Sequence, residues 1–79
     1  MGQQAIKPAE EMLDKLFRDK ERIPKEVVQH EAEEARIAPD VMFYFNRLPD
    51  EELTRNQVVQ NVNNMIKERH REQEIGLLH

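Results

Sequence analysis

The chain carries few side chains that could perform covalent chemistry. It has no serine and no cysteine, a single threonine at Thr54, and three histidines. A serine or cysteine nucleophile paired with a histidine base is therefore impossible, and thiolate sites for zinc or iron–sulfur clusters are excluded as well. Two glycines are too few for a phosphate-binding loop or a dinucleotide fingerprint. The sequence predicts a protein that is not an enzyme and holds no cofactor.

One histidine stands at a spacing that could bind a metal or transfer a proton. Glu26, His30 and Glu34 recur every four residues, which places them on one face of a helix. A zinc site usually needs more histidine or cysteine ligands than this chain offers. We therefore interpret the three residues as a solvated helix face with weak attraction between neighbours, and we predict no metal.

A polar helix face near the end of the chain is the basis for a hypothesis of nucleic-acid binding. Residues 54–71 contain four Lys and Arg against one Glu, although the whole chain has a formal charge of −4. Asparagine, glutamine and arginine are side chains that contact base edges, and three short helices match a helix-turn-helix core in size. Three acids at 50–52 oppose it, because they would meet the phosphate backbone. This alternative, a small helical DNA-binding regulator, uses Asn56, Gln60, Asn63, Asn64, Lys67 and Arg71.

Most of the aromatic residues are consecutive, at Phe43, Tyr44 and Phe45. With Met42 they make a short helix apolar nearly all round, and such a helix is usually buried or covers a partner. Aromatic residues and Met left at a surface are typical interface anchors, whereas a core could also absorb them all. The apolar residues at 75–78 could bind a partner, fold back or stay disordered. We predict a non-catalytic protein-interaction or regulatory module with five contact residues: Met42, Phe43, Tyr44, Leu77 and Leu78.

Prolines mark where the predicted helices begin and end. Pro8, Pro24 and Pro39 each suit the first turn of a helix, where the missing N–H costs nothing, and Pro49 ends the third helix. Apolar residues between them recur at helical spacing, and no segment shows the two-residue alternation of a strand. We predict an all-α fold, a compact bundle of four helices with the third one short, near residues 8–20, 24–36, 39–48 and 54–72.

The fourth helix has the clearest start. Thr54 and Gln57 have the spacing of a capping box, and Leu53 and Val58 stand where a hydrophobic staple would close around it. The apolar faces of all four helices predict a core of ten side chains: Leu13, Leu16, Phe17, Val28, Ala32, Phe45, Leu48, Val58, Val62 and Met65.

Length and composition limit what the chain can bury and where it can act. Its 79 residues are 38% hydrophobic and 35% charged, which predicts one small domain over 1–79 with flexible residues at 1–6 and 73–79. No run approaches the roughly 18 apolar residues of a membrane span, and the start lacks the pattern of a signal peptide. We expect a cytoplasmic protein that contacts no membrane. Oligomerisation often supplements so small a core, so a homodimer is among the expected partners.

The middle of the chain combines short proline motifs at defined distances. They are Ile23-Pro24-Lys25, Ala38-Pro39-Asp40 and Leu48-Pro49-Asp50, and the Ala-Pro precedes the Leu-Pro-Asp by about nine residues. In this pattern residues 23–53 resemble a family of short prokaryotic helical domains of unknown function. The resemblance implies a small soluble helical protein of bacterial or archaeal type, and it brings no activity, cofactor or site residues.

Overall fold

Five helices and two very short strands make up residues 6–78, the part of the chain that the computed structural model describes. The helices are α1 (Lys7–Leu16), α2 (Lys25–Glu34), α3 (Pro39–Phe45), α4 (Arg55–Glu68) and α5 (Glu72–Ile75). The strands are β1 (Ile23–Pro24) and β2 (Glu52–Leu53). The predicted helical class is confirmed, but the described residues contain a short fifth helix and a strand pair that the sequence did not indicate.

Two helices end earlier than predicted because a residue just beyond each takes a left-handed backbone conformation. Arg36 has a φ of 57° after α2, and His70 has a φ of 58° after α4. At α2 the N–H of Arg36 donates to the Glu33 carbonyl (3.1 Å) and the N–H of Ile37 to the Ala32 carbonyl (3.2 Å). These two bonds define a Schellman motif, in which glycine usually holds the left-handed position. Because neither position is a glycine, the sequence pattern did not indicate where α2 and α4 end.

The other two predicted long helices also end earlier than the sequence indicated. α1 ends at Leu16 and α3 at Phe45, rather than near residues 20 and 48. After α3 the hydrogen bonds tighten to three-residue turns, from the Arg47 N–H to the Tyr44 carbonyl (3.1 Å) and from the Leu48 N–H to the Phe45 carbonyl (3.4 Å). Such a tightened last turn is common before a chain reversal, and here it precedes a proline.

The strand pair joins the starts of two helices. β1 and β2 are antiparallel, with Ile23 opposite Leu53 and Pro24 opposite Glu52. Both Ile23 and Leu53 are buried. A two-residue strand is too short to show alternation, so the sequence could not reveal it. The pairing brings the beginning of α2 beside the beginning of α4.

The core is larger than the predicted set. Seven of the ten predicted core residues are buried, and Leu16, Phe17 and Met65 are partly buried and pack against that core. The additional buried side chains come mainly from segments outside the predicted helical stripes: Ile6, Ile23, Ile37, Leu53, Ile75 and Leu78.

Both termini of the described part contribute to this core. Ile6 is buried at the start of α1, and Ile75 and Leu78 are buried at the other end. The expected flexibility of residues 1–5 and 79 lies outside the described residues. Within 6–78, no helix has the length and apolar character needed to cross a bilayer.

Candidate functional site

The acidic and histidine face of α2 does not form a metal centre. Nε2 of His30 lies 3.8 Å from Oε2 of Glu34, with both side chains about two-thirds exposed, and Glu26 is exposed as well. Between residues 6 and 78 no three His, Asp or Glu side chains are grouped so that they could hold a metal ion. The geometry is that of a solvated i,i+4 pair, whose contribution to stability is small.

The aromatic segment of α3 divides into a buried and a partly exposed side. Tyr44 and Phe45 are buried, whereas Met42 and Phe43 are only partly buried. α3 packs between α2 and α4, and Gln29 on α2 donates a 2.9 Å hydrogen bond to Asn46 in the turn after α3. Because two neighbours cover α3, the side chain of Tyr44 belongs to the core. The contact of Tyr44 with a partner stays a prediction.

Phe43 carries two arginine side chains on its ring. The guanidinium carbon of Arg47 lies 4.4 Å from the ring centroid, and that of Arg69 lies 4.9 Å from it. Tyr44 meets the same ring edge-on, with centroids 5.3 Å apart and an angle of 86° between planes. Both distances from guanidinium to ring are within the range of cation–π attraction. We call Phe43, Arg47 and Arg69 together the Phe43 face.

A small cleft adjoins the Phe43 face. It encloses about 220 Å³, and Pro39 and Asp40 at the start of α3 and Arg71 before α5 contribute to its walls. Arg71 is already engaged by carboxylates, because its Nε lies 2.6 Å from Oε1 of Glu74 and one Nη lies 4.0 Å from Asp40. Arg47 and Arg69 differ: in the described part of the chain no carboxylate oxygen lies within 4.0 Å of either guanidinium.

The segment after α4 folds back onto the bundle. Asn63 on α4 holds it with two hydrogen bonds to Leu78: Oδ1 accepts from the backbone N–H (2.7 Å), and Nδ2 donates to the backbone carbonyl (2.9 Å). Leu78 is buried and Leu77 partly buried. Of the three alternatives for this apolar segment, folding back is the one observed. Leu78 thus makes an internal contact, and its predicted contact with a partner stays a prediction.

The set of residues proposed to contact DNA is only partly available. Asn63 is engaged with Leu78, and Arg71 with Glu74. The remaining four are exposed and share one face of α4: Asn56, Gln60, Asn64 and Lys67.

An open groove of about 570 Å³ runs between α1 and α2. Met12 and Leu16 contribute apolar surface, while Glu11, Lys15 and Glu34 are among the charged residues around it. Charges of both signs alternate there, and the two apolar side chains already pack on the core. The groove therefore shows no convergence of polar groups toward one point.

Sequence reasoning missed both arginines of the Phe43 face. Arg47 could have been found, because it follows Phe43 by four residues and such pairs meet on a helical turn. Arg69 could not, because it reaches the ring from the end of α4 and only the packing of α3 against α4 brings it there.

Comparison with known proteins supplies no relative. No family model matches the chain, and no curated protein and no solved structure matches it either. The resemblance of residues 23–53 to a family of short prokaryotic helical domains consequently stays a prediction.

Proposed function

We propose that this protein is a non-catalytic protein-interaction module that binds a partner through the Phe43 face. The observation that carries the proposal is a partly exposed aromatic ring with the guanidinium carbons of two arginines 4.4 and 4.9 Å from its centroid, neither arginine being paired with a carboxylate in residues 6–78. Aromatic residues and arginine are the side chains enriched at the centres of protein interfaces.

The arrangement is ordered before a partner arrives. An exposed cation–π contact contributes about 0.5–1 kcal/mol, which offsets part of the entropy lost when a long arginine side chain is fixed. A binding residue that is already ordered loses less freedom on association. The Phe43 face thus combines apolar area, hydrogen-bond donors and preorganisation within one small area.

The homodimer expected from the small core is less suited to this face. A two-fold dimer brings the same patch of both copies together. Pairing the Phe43 face in that way would gather four guanidinium groups and raise their mutual repulsion. A partner of different sequence fits the charge of this face better than a second copy does.

DNA binding is the competing hypothesis. Four exposed residues on α4, Asn56, Gln60, Asn64 and Lys67, support it. Two of its six residues are engaged inside the protein, and Asp14 lies 2.8 Å from Arg55 at the start of the same helix. DNA binding would fall steeply with added salt and disappear in Lys67→Glu, whereas binding through the Phe43 face would survive that substitution.

Partner capture tests the proposal. Tagged wild-type protein, Phe43→Ser and Val27→Ser are used in parallel to capture proteins from a lysate of the source organism, followed by mass spectrometry. Val27 is the matched control, because it is the large hydrophobic side chain most exposed to solvent in the described residues, and it lies on α2. We expect a partner that wild type and Val27→Ser retain and Phe43→Ser loses, with the helical circular-dichroism spectrum unchanged in all three. Equal capture by Phe43→Ser and wild type would contradict the proposal.

A further inference from the structure

We infer that the Phe43 face binds a side-chain carboxylate of the partner protein, held between the guanidinium groups of Arg47 and Arg69. The inference rests on the proposed function and names the chemistry that the partner must offer at this site. It predicts an Asp or Glu beside an apolar residue in the partner, with the apolar residue against the ring of Phe43.

The hydrogen-bond donors of both arginines are available, because in residues 6–78 neither guanidinium group makes a hydrogen bond or an ion pair. The planar guanidinium group carries its N–H donors in a rigid fork. Those N–H groups form the fork that matches the two oxygens of a carboxylate. In this protein the ring holds two such forks, at 4.4 and 4.9 Å from one centroid.

Two positive charges beside one ring favour the binding of an anion there. Both guanidinium carbons lie within cation–π distance of the same ring, so both charges act beside Phe43. Two other arginines of the described residues are paired with a carboxylate, Arg55 with Asp14 at 2.8 Å and Arg71 with Glu74 at 2.6 Å. Arg47 and Arg69 have no such counterpart there, although the chain as a whole carries a net charge of −4. Three further arginines also have no carboxylate within 4.0 Å in residues 6–78, so the distinguishing feature of Arg47 and Arg69 is the ring that they share.

The surroundings favour one carboxylate over a nucleic-acid backbone. Asp40 lines the adjoining cleft, and Glu68 and Glu72 flank the turn that carries Arg69. A duplex presents one negative charge per roughly 1.7 Å of its axis, so a backbone placed on the Phe43 face would also bring phosphates against these acids. A single carboxylate next to an apolar side chain brings only one negative charge and is repelled less by these acids than a row of phosphates is.

The test is a titration of the full chain followed by NMR of the arginine Nε–Hε groups and the Phe43 ring. The probes are a hexapeptide of alternating Leu and Glu, blocked at both ends, the same peptide with Gln for Glu, and a DNA duplex of 12 base pairs. Salt concentration is held constant. The protein variants are Arg47→Gln, Arg69→Gln and the control Arg22→Gln, which removes the same charge from an exposed position in the linker before β1.

We expect the Glu peptide to shift the Arg47 and Arg69 signals saturably, and the Gln peptide to bind at least fivefold more weakly. Arg47→Gln and Arg69→Gln should each weaken binding of the Glu peptide at least fivefold, while Arg22→Gln leaves it within twofold of wild type. Equal binding of the two peptides would overturn the inference, and so would tighter binding of the DNA than of the Glu peptide, or an equal effect of Arg22→Gln.

The two proposals fail in different ways. If Phe43→Ser still captures every partner but the Glu peptide binds at both arginines, the proposed function is wrong and the carboxylate site stands. If capture depends on Phe43 but the Gln peptide binds as well as the Glu peptide, the interaction surface stands and its chemistry is apolar.

Discussion

Two residues of the α4 region, Thr54 and Asn63, each take part in a pair of hydrogen bonds, and the two pairs span very different distances along the chain. At the start, Oγ1 of Thr54 accepts from the Gln57 N–H (3.1 Å) and Oε1 of Gln57 accepts from the Thr54 N–H (2.9 Å), between residues three apart. Further along, Asn63 exchanges two hydrogen bonds with the backbone of Leu78, fifteen residues away. The first pair can form when the helix forms, whereas the second needs the chain to fold back first.

The capping box is a local interaction, whereas the hydrogen bonds between Asn63 and Leu78 form only together with the tertiary fold. The capping box satisfies two backbone donors that every helix start leaves open, so it contributes whether or not the segment after α4 is docked. The Asn63 bonds exist only while Ile75 and Leu78 stay in the core. We therefore expect the segment at 72–78 to open more easily than the start of α4, as weakly anchored segments do.

The largest effect should come from truncating the core on either side of α4. Leu53→Ala should lower the free energy of unfolding by about 2–5 kcal/mol, because Leu53 is fully buried between β1 and α4. Leu78→Ala should fall at the low end of that range, since Leu78 lies near the end of the chain and its segment can move to close part of the cavity. Urea denaturation of both variants measures the difference. A larger loss for Leu78→Ala than for Leu53→Ala would contradict the expectation that the segment at 72–78 is less stable than the start of α4.

Removal of the Asn63 bonds should have the next largest effect. Asn63→Ala leaves the N–H and carbonyl of Leu78 without their partners in a partly buried site, which we expect to cost about 1–3 kcal/mol. The amide of Leu78 should also lose its protection against hydrogen exchange.

Asn64→Ala is the matched control for that experiment. Asn64 is exposed on the same helix, so its truncation should change stability by less than about 0.5 kcal/mol. Because alanine has a higher helix propensity than asparagine, neither substitution loses stability through propensity, and equal effects of the two would show that the loss does not come from the bonds to Leu78.

Loss of the cap should cost less. Thr54→Ala removes the acceptor for the Gln57 N–H, with an expected loss of about 0.5–2 kcal/mol. Thr54→Ser keeps a hydroxyl at the same place and should retain most of the stability in chemical denaturation. If the serine variant were as unstable as the alanine variant, the lost methyl contact rather than the cap would be responsible.

The same distinction between local and long-range contacts determines which features could be predicted from the sequence. Thr54, Gln57 and the prolines act within one helical turn, so the sequence located the start of α4 and the helical class correctly. The burial of Leu78 and the approach of Arg69 to Phe43 depend on packing between distant segments. No pattern within a single element encodes them, and for this reason the predicted contact set included Leu78, which is buried, and omitted Arg69. Arg47 differs, because its four-residue spacing from Phe43 is local and could have been used.

The end of α4 offers the smallest expected effect, and one of opposite sign. His70 holds a left-handed conformation with φ at 58°, while its N–H bonds to the Lys67 carbonyl (3.0 Å) and the Arg71 N–H to the Ile66 carbonyl (3.0 Å). A side chain with a Cβ is strained there, and glycine is not. Glycine also has more freedom to lose on folding, so the net gain for His70→Gly should be only about 0.5–1 kcal/mol.

His70→Ala separates backbone strain from the loss of the imidazole, because alanine keeps the Cβ. We expect His70→Gly to raise the midpoint of urea unfolding and His70→Ala not to raise it. Because Arg69 and Arg71 flank this position, the glycine variant also tests whether the strained turn holds Arg69 against Phe43. If His70→Gly gains stability but weakens binding of the Glu peptide, the fixed turn is needed to hold Arg69 against Phe43. If it gains stability and binds equally well, the strain at His70 has no part in positioning that arginine, and the packing of α3 against α4 is enough.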